Sequence, residues 1–202
     1  MSEQDWAQKY RPQTFDDVVL DASLKNKLSG IIKAKGGMSL LFYGRPGSGK
    51  TTVAKLINPE NTYYINCSSK NSVDTIRWIE KTFACRSLFD DRRVLLLDEG
   101  DQLTPEAQEA IKGVVEELSE FNDFVMTTNN PNKLSEAVRS RFLPVKFDLD
   151  TESVRDAVRQ RLEGIVASEG LASPDEETWN ECLKNYPDMR RMIKTLQFEL
   201  TK

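Results

Sequence analysis

The stretch from Leu40 to Thr52, LLFYGRPGSGKTT, constrains this chain more than any other. An apolar run from Ser39 to Tyr43 breaks at Gly44 into a loop that ends Gly49-Lys50-Thr51 and opens a helical pattern. Strand, glycine-rich loop and helix in that order form a site for nucleotide phosphates. Gly44, Gly47 and Gly49, with Ser48 between them, let backbone N–H groups converge on phosphate oxygens. The helix start adds partial positive charge, Lys50 reaches the β- and γ-phosphates, and the Thr51 hydroxyl, followed by Thr52, can ligate Mg²⁺. A glycine-rich turn beside an exposed lysine reads alike over so short a stretch, so the rest of the chain has to decide.

Its 202 residues suffice for one substantial domain and a small second one. With 28 Lys+Arg against 32 Asp+Glu, the net charge of −4 advertises no global nucleic-acid field, although a local basic face is compatible with it. No apolar run is long enough to span a bilayer, and the polar start MSEQDWAQKYRP lacks a signal-peptide core. A soluble, intracellular, cytoplasmic protein (host cytoplasm for a viral one), with no membrane partner, is expected. Cys67, Cys85 and Cys182 are odd in number and lack CxxC spacing, which suggests neither a disulfide framework nor a zinc site. The absence of histidine removes the usual general base and the commonest metal ligand.

Leu24, Leu28, Ile31 and Ile32 recur at helical spacing until Gly36-Gly37, so an amphipathic helix leads into the phosphate-loop strand. After a turn at 58–61, TYYIN reads as a second strand, and Val73, Ile76, Ile79 and Phe83 share one face of a helix over 73–83. In RRVLLLDEGD, four apolar residues predict a strand buried on both faces of a parallel sheet, with Asp98 and Glu99 at its C-terminal end. Ligands of open α/β sheets bind there. Asp98 is placed to hold Mg²⁺ directly or through water and Glu99 to polarise an attacking water; a solvated strand end is the plainer alternative. Thr104-Pro105 opens a helix with an apolar face from Ala107 to Leu118, and FVMTT predicts a strand running into Asn129-Asn130-Pro131. Those amides either orient a water or simply form a turn. PVKFD is a last short strand, and by itself Arg141 reads as a surface charge. The expected fold is α/β, a P-loop core with a parallel sheet over 1–150, followed by a helical lid over 151–202. In the lid, Val154, Val158, Leu162, Ile165 and Val166 form one face, a capping box at 173–176 starts a second helix, and Met189 to Leu200 forms a third.

These residues resemble the AAA+ ATPases of the sliding-clamp loader family, especially the small subunits of replication factor C and the T4-type phage loader. WAQKYRPQTFDDVV is similar to the family's opening KYRP segment, GRPGSGKT to Walker A, and LLLDEGD to Walker B. LTPEAQEAIKGVVEE resembles the following helix, TTNNPNKLSEAVRSRF sensor 1 and the SRC stretch, and YPDMRRMIKTLQ the sensor 2 helix.

The resemblance implies ATP and Mg²⁺ as cofactors, with an adenine pocket at Gln8, Lys9, Tyr10 and Val19. It implies sensor 1 at Asn129, sensor 2 at Arg190, and an arginine finger at Arg141 that acts on ATP held by a neighbouring subunit. It implies other clamp-loader subunits as partners in a homo- or hetero-oligomeric pentameric spiral, with a sliding clamp and primer-template DNA, in DNA replication. Lys70, Asn71, Arg77 and Lys112 are the implied DNA contacts; Phe83, Leu88 and Phe89 are candidates for the clamp-facing surface. Phe142 stands where the family's motif has cysteine, and the helical collar that normally follows sensor 2 is missing before Lys202. A scaffold with negligible hydrolysis, a P-loop kinase, and a helicase loader or initiator are the competing readings. The intact set Lys50, Thr51, Asp98, Glu99, Asn129 and Arg141 speaks against the scaffold.

Overall fold

The computed structural model describes residues 5–33, 37–85, 92–149 and 152–201. The apolar runs in LLFYG and RVLLLD become neighbours of the sheet centre, because a strand with no polar face must be covered on both sides. The chain runs α1 (Trp6–Lys9), α2 (Ala22–Lys33), β1 (Ser39–Gly44), α3 (Lys50–Leu56), β2 (Thr62–Asn66), α4 (Val73–Phe83), β3 (Arg93–Asp98) and α5 (Pro105–Leu118). It continues through β4 (Asn122–Thr128), α6 (Glu136–Arg139), β5 (Leu143–Phe147), α7 (Glu152–Ser168), α8 (Glu176–Leu183) and α9 (Met189–Leu200). The five strands are all parallel in the order β2-β3-β4-β1-β5. Thus β4 separates the phosphate-loop strand from the Asp98 strand, and its C-terminal end lies between the two.

Alternation along each strand sorts the core into two layers. Leu41, Leu95, Leu97, Phe124 and Met126 pack against α4 and α5, while Leu40, Phe42, Leu96, Val125 and Val145 face α2 and α3. Phe83 is 1% exposed in the first layer, so the clamp-facing role entertained for it is corrected: its ring is core, packed edge-on against Tyr63 and Trp78. Leu88 and Phe89 lie outside the described residues. Phe142 is also buried in this layer.

A third cluster joins Val154, Val158, Leu162, Ile165, Trp179, Met192, Ile193 and Leu196 of the three C-terminal helices to Trp6 from the other end of the chain. The Trp6 amide donates to Gln197 Oε1 at 2.9 Å, and the Tyr10 hydroxyl donates to Glu169 at 2.6 Å. The cap of α8 differs from expectation. Asp175, not Ser173, is the N-cap residue, its carboxylate accepting from the Thr178 amide at 2.9 Å. The strand predicted as FVMTT begins earlier, at Asn122, whose buried side chain bonds the carbonyls of Phe83 and Leu118 and so ties the strand start to α4 and α5. Among the described residues no helix is long and apolar enough to cross a membrane.

Candidate functional site

Two positions of the loop between β1 and α3 require a residue without a side chain. Gly47 and Gly49 hold φ of 72° and 89°, the left-handed region, and Gly49 is the N-cap of α3. Gly47 also meets the lid: a Cβ there would lie 1.9 Å from Oδ1 of Asp188, the N-cap residue of α9. Lys50 is tethered across the loop, its ammonium donating to the carbonyls of Gly44 at 2.9 Å and Arg45 at 2.8 Å. Burial pushes this ammonium down to about 8, partly offset by the nearby Asp98 and Asp101 charges.

At the sheet's C-terminal edge, Asp98 Oδ1 accepts from Thr51 Oγ1 at 2.7 Å and from Thr127 Oγ1 at 2.5 Å, while Oδ2 accepts from the Tyr64 hydroxyl at 3.0 Å. Glu99 follows in a left-handed conformation, φ 57°, ψ 46°. Its amide donates to Thr127 Oγ1, and the Ser68 hydroxyl bonds its carboxylate. This backbone kink turns Glu99 away from the strand direction, so the two adjacent carboxylates serve different places.

A cleft of about 380 Å³ opens over these groups, within the range of small-molecule sites. It brings together Ser48, Gly49, Lys50, Thr51, Thr52, Asp98, Glu99 and Asn129 with Gln8, Tyr10 and Val19 on one wall and Arg190 on the α9 side. Gly47 also lines it, and Gly44 contributes through its carbonyl contact with Lys50. Lys9 is not among the lining residues: its ammonium pairs with Glu169 at 2.7 Å. Arg141 also lies outside the cleft. It is 2.7 Å from Glu116 of α5, donates to the Ala137 carbonyl, and keeps a buried Nε that has no hydrogen-bond partner among the described residues.

Of the residues considered for DNA, Lys70 and Asn71 are exposed in the loop before α4, and Arg77 is exposed beside Asp74 at 3.2 Å. Lys112 is mostly covered, 17% exposed, and is paired with Glu109. Residues that the sequence did not single out are Ser68, Thr127 and Thr128, the last donating to Asp101 at 2.7 Å, and Tyr64. For Tyr64 the sequence carried no signal, because what selects it is the strand register. Asn66 pairs with Asp98 across β2 and β3, and the residue two before Asn66 shares its face.

The donor set suits a divalent metal. Thr51 and Asp98 offer hard oxygen donors in contact, and Mg²⁺ is commonly held by one or two protein oxygens together with substrate phosphates and waters. Sheet order, phosphate loop, inserted β4 and helical lid together define a P-loop nucleotide-binding fold. Residues 40–147 match the family described as "ATPase family associated with various cellular activities (AAA)", and the chain belongs to that family.

The chain is 33% identical to replication factor C small subunit 2 of Pyrobaculum aerophilum over 213 residues, covering 100% of this chain and 65% of that protein. To the replication factor C small subunit of Thermofilum pendens it is 33% identical over 210 residues, 98% of this chain and 63% of that one. It therefore spans a little under two thirds of these curated relatives. The structure of the Thermotoga maritima RuvB Holliday junction branch migration motor superposes with a TM-score of 0.70 at 23% identity, over 92% of this chain and 63% of that chain, a likeness of fold.

Proposed function

We propose that this chain binds ATP with Mg²⁺ in the cleft and hydrolyses it as one subunit of a clamp loader, which opens a sliding clamp and places it on primer-template DNA in replication. The likeness to replication factor C small subunits supports the assembly; the convergence of Lys50, Thr51, Asp98, Glu99 and Asn129 supports the chemistry. Thr51 and Asp98 would hold the metal, which neutralises charge developing on the phosphates. Lys50 leaves the Gly44 and Arg45 carbonyls for the phosphate oxygens, Glu99 takes a proton from the attacking water as Ser68 releases it, and Asn129 orients that water. Gln8, Tyr10 and Val19 form the adenine side, and Arg190 reaches the γ-phosphate from a lid that begins near residue 151. Lys70, Asn71 and Arg77 are the DNA-facing candidates, where phosphate contacts position the backbone without reading sequence.

The observation that carries this reading is the place of Arg141. Every other group of the set lies in or at the cleft of its own chain, whereas Arg141 is held away from it by Glu116. The resemblance makes this guanidinium the finger for a neighbour's ATP once the Glu116 pair opens, and hydrolysis would then report assembly.

The test compares Lys50→Ala with Glu99→Gln in the assembled complex. Lys50→Ala abolishes ATP binding, while Glu99→Gln binds and does not turn over; wild-type turnover rises with clamp and primer-template DNA together and that rise weakens with salt. Equal loss of binding in both variants, or turnover indifferent to DNA and clamp, refutes the reading.

A further inference from the structure

Asp98 has a carboxylate that can rotate, and its two oxygens are held unequally. Oδ1 receives both threonine hydroxyls, Thr51 at 2.7 Å and Thr127 at 2.5 Å. Those bonds set the Cβ–Cγ torsion, but a Thr51 hydroxyl that turns to a cation gives up its hold. The bond at Oδ2, from the Tyr64 hydroxyl at 3.0 Å, holds the same torsion from the other oxygen without drawing on a metal-ligating group.

Tyr64 reaches that oxygen for a reason of register. Asn66 of the edge strand β2 stands opposite Asp98, so Tyr64, two residues earlier, projects on the same sheet face from the neighbouring strand. The ring is itself supported: the Lys55 ammonium of α3 lies 4.1 Å from its centroid, within cation–π range. Tyr64 is 45% exposed, and a tyrosine that spends its hydroxyl on a nearly buried carboxylate while leaving its ring half in water is placed for that bond more than for packing.

We infer that Tyr64 is the positioning residue for the metal-holding carboxylate: supported by Lys55, its hydroxyl holds the Cβ–Cγ torsion of Asp98 so that Oδ1 and the Thr51 hydroxyl face a divalent cation. This rests on the reading of the cleft as an Mg²⁺-ATP site.

Tyr64→Phe keeps the ring over Lys55 and removes only the hydroxyl. In the full chain, nucleotide affinity is measured with a non-hydrolysable ATP analogue in EDTA and in excess Mg²⁺. Wild type binds tighter with Mg²⁺. In Tyr64→Phe the affinity in EDTA is unchanged, while the tightening by Mg²⁺ shrinks by up to about tenfold, the low end of what losing an outer-shell partner costs a metal site. Lys55→Met shows the same split to a smaller degree.

An unchanged response to Mg²⁺ in Tyr64→Phe overturns the inference alone. So does an equal loss with and without Mg²⁺, which would mark Tyr64 as a structural part of the cleft. A wild-type protein whose nucleotide binding ignores Mg²⁺ overturns the site reading as well. Asp98→Asn, by contrast, loses the Mg²⁺ response if that site reading is right.

Discussion

Replacing Gly47 by alanine tests how the lid meets the phosphate loop. The new Cβ would stand 1.9 Å from Oδ1, 2.4 Å from Cγ and 3.0 Å from Cα of Asp188, at a backbone φ of 72°. The left-handed conformation costs a non-glycine residue about 1–2 kcal/mol. The Asp188 side chain must also swing off the Arg191 amide, which it holds at 3.1 Å, and losing a cap costs about 1 kcal/mol. Gly47→Ala therefore destabilises by about 2–3 kcal/mol. Asp188→Gly alone costs a few tenths of a kcal/mol, since glycine is a tolerated N-cap, and it removes the two closest obstructions. The double variant then loses about 1 kcal/mol less than the sum of the single ones. Urea unfolding followed by tryptophan fluorescence measures this, because Trp6 and Trp179 are buried in the lid cluster. Strictly additive losses would refute the contact as the cause, leaving backbone strain alone.

Two more predictions concern the cleft and its neighbour. Because burial holds the free Lys50 ammonium at about 8 while bound phosphates raise it, ATP affinity is independent of this group at lower pH and falls as pH rises past 8. Calorimetry at about pH 9 in buffers of different ionisation enthalpy detects the accompanying proton uptake, which vanishes at about pH 6.5, where the ammonium is already charged in the free protein. Arg141→Ala binds ATP normally but hydrolyses poorly once assembled; mixing it with Lys50→Ala restores part of the activity, and an inactive mixture in proven mixed oligomers returns Arg141 to a structural charge.

The run RVLLLD was legible because a strand covered on both faces is apolar at successive residues, and the helix over 73–83 because its apolar residues recur with the helical period. The phosphate loop was legible because glycine there answers a backbone demand. What escaped were pairings that depend on register and tertiary contact. Tyr64 shows nothing in TYYIN to separate it from Tyr63, yet adjacent strand residues face opposite layers: Tyr63 lies against Phe83, and Tyr64 against Asp98. Phe83 read as either surface or core until the sheet face above it was known. In the run Ser173-Pro174-Asp175-Glu176 several residues can cap, and the structure uses Asp175. Trp6 lacked any periodic context that would send it to helices over a hundred residues away.

That placement of Trp6 has a mechanical result. Tyr10 packs with the C-terminal helices while Phe15 packs with the sheet, and Phe147 belongs to the sheet layer while Leu149 belongs to the C-terminal cluster. The polypeptide thus passes between the two bodies in two regions far apart in sequence, near residues 10–20, where Val19 also reaches the C-terminal cluster, and near 147–149. A body tethered at one point can pivot in any direction, whereas two tethers define an axle and leave a swing about it as the easiest motion. Gln8 and Tyr10 belong with α1, which packs on α9 and its Arg190, so under the proposed reading the wall meant for the base and the arginine meant for the phosphates would swing together as one door.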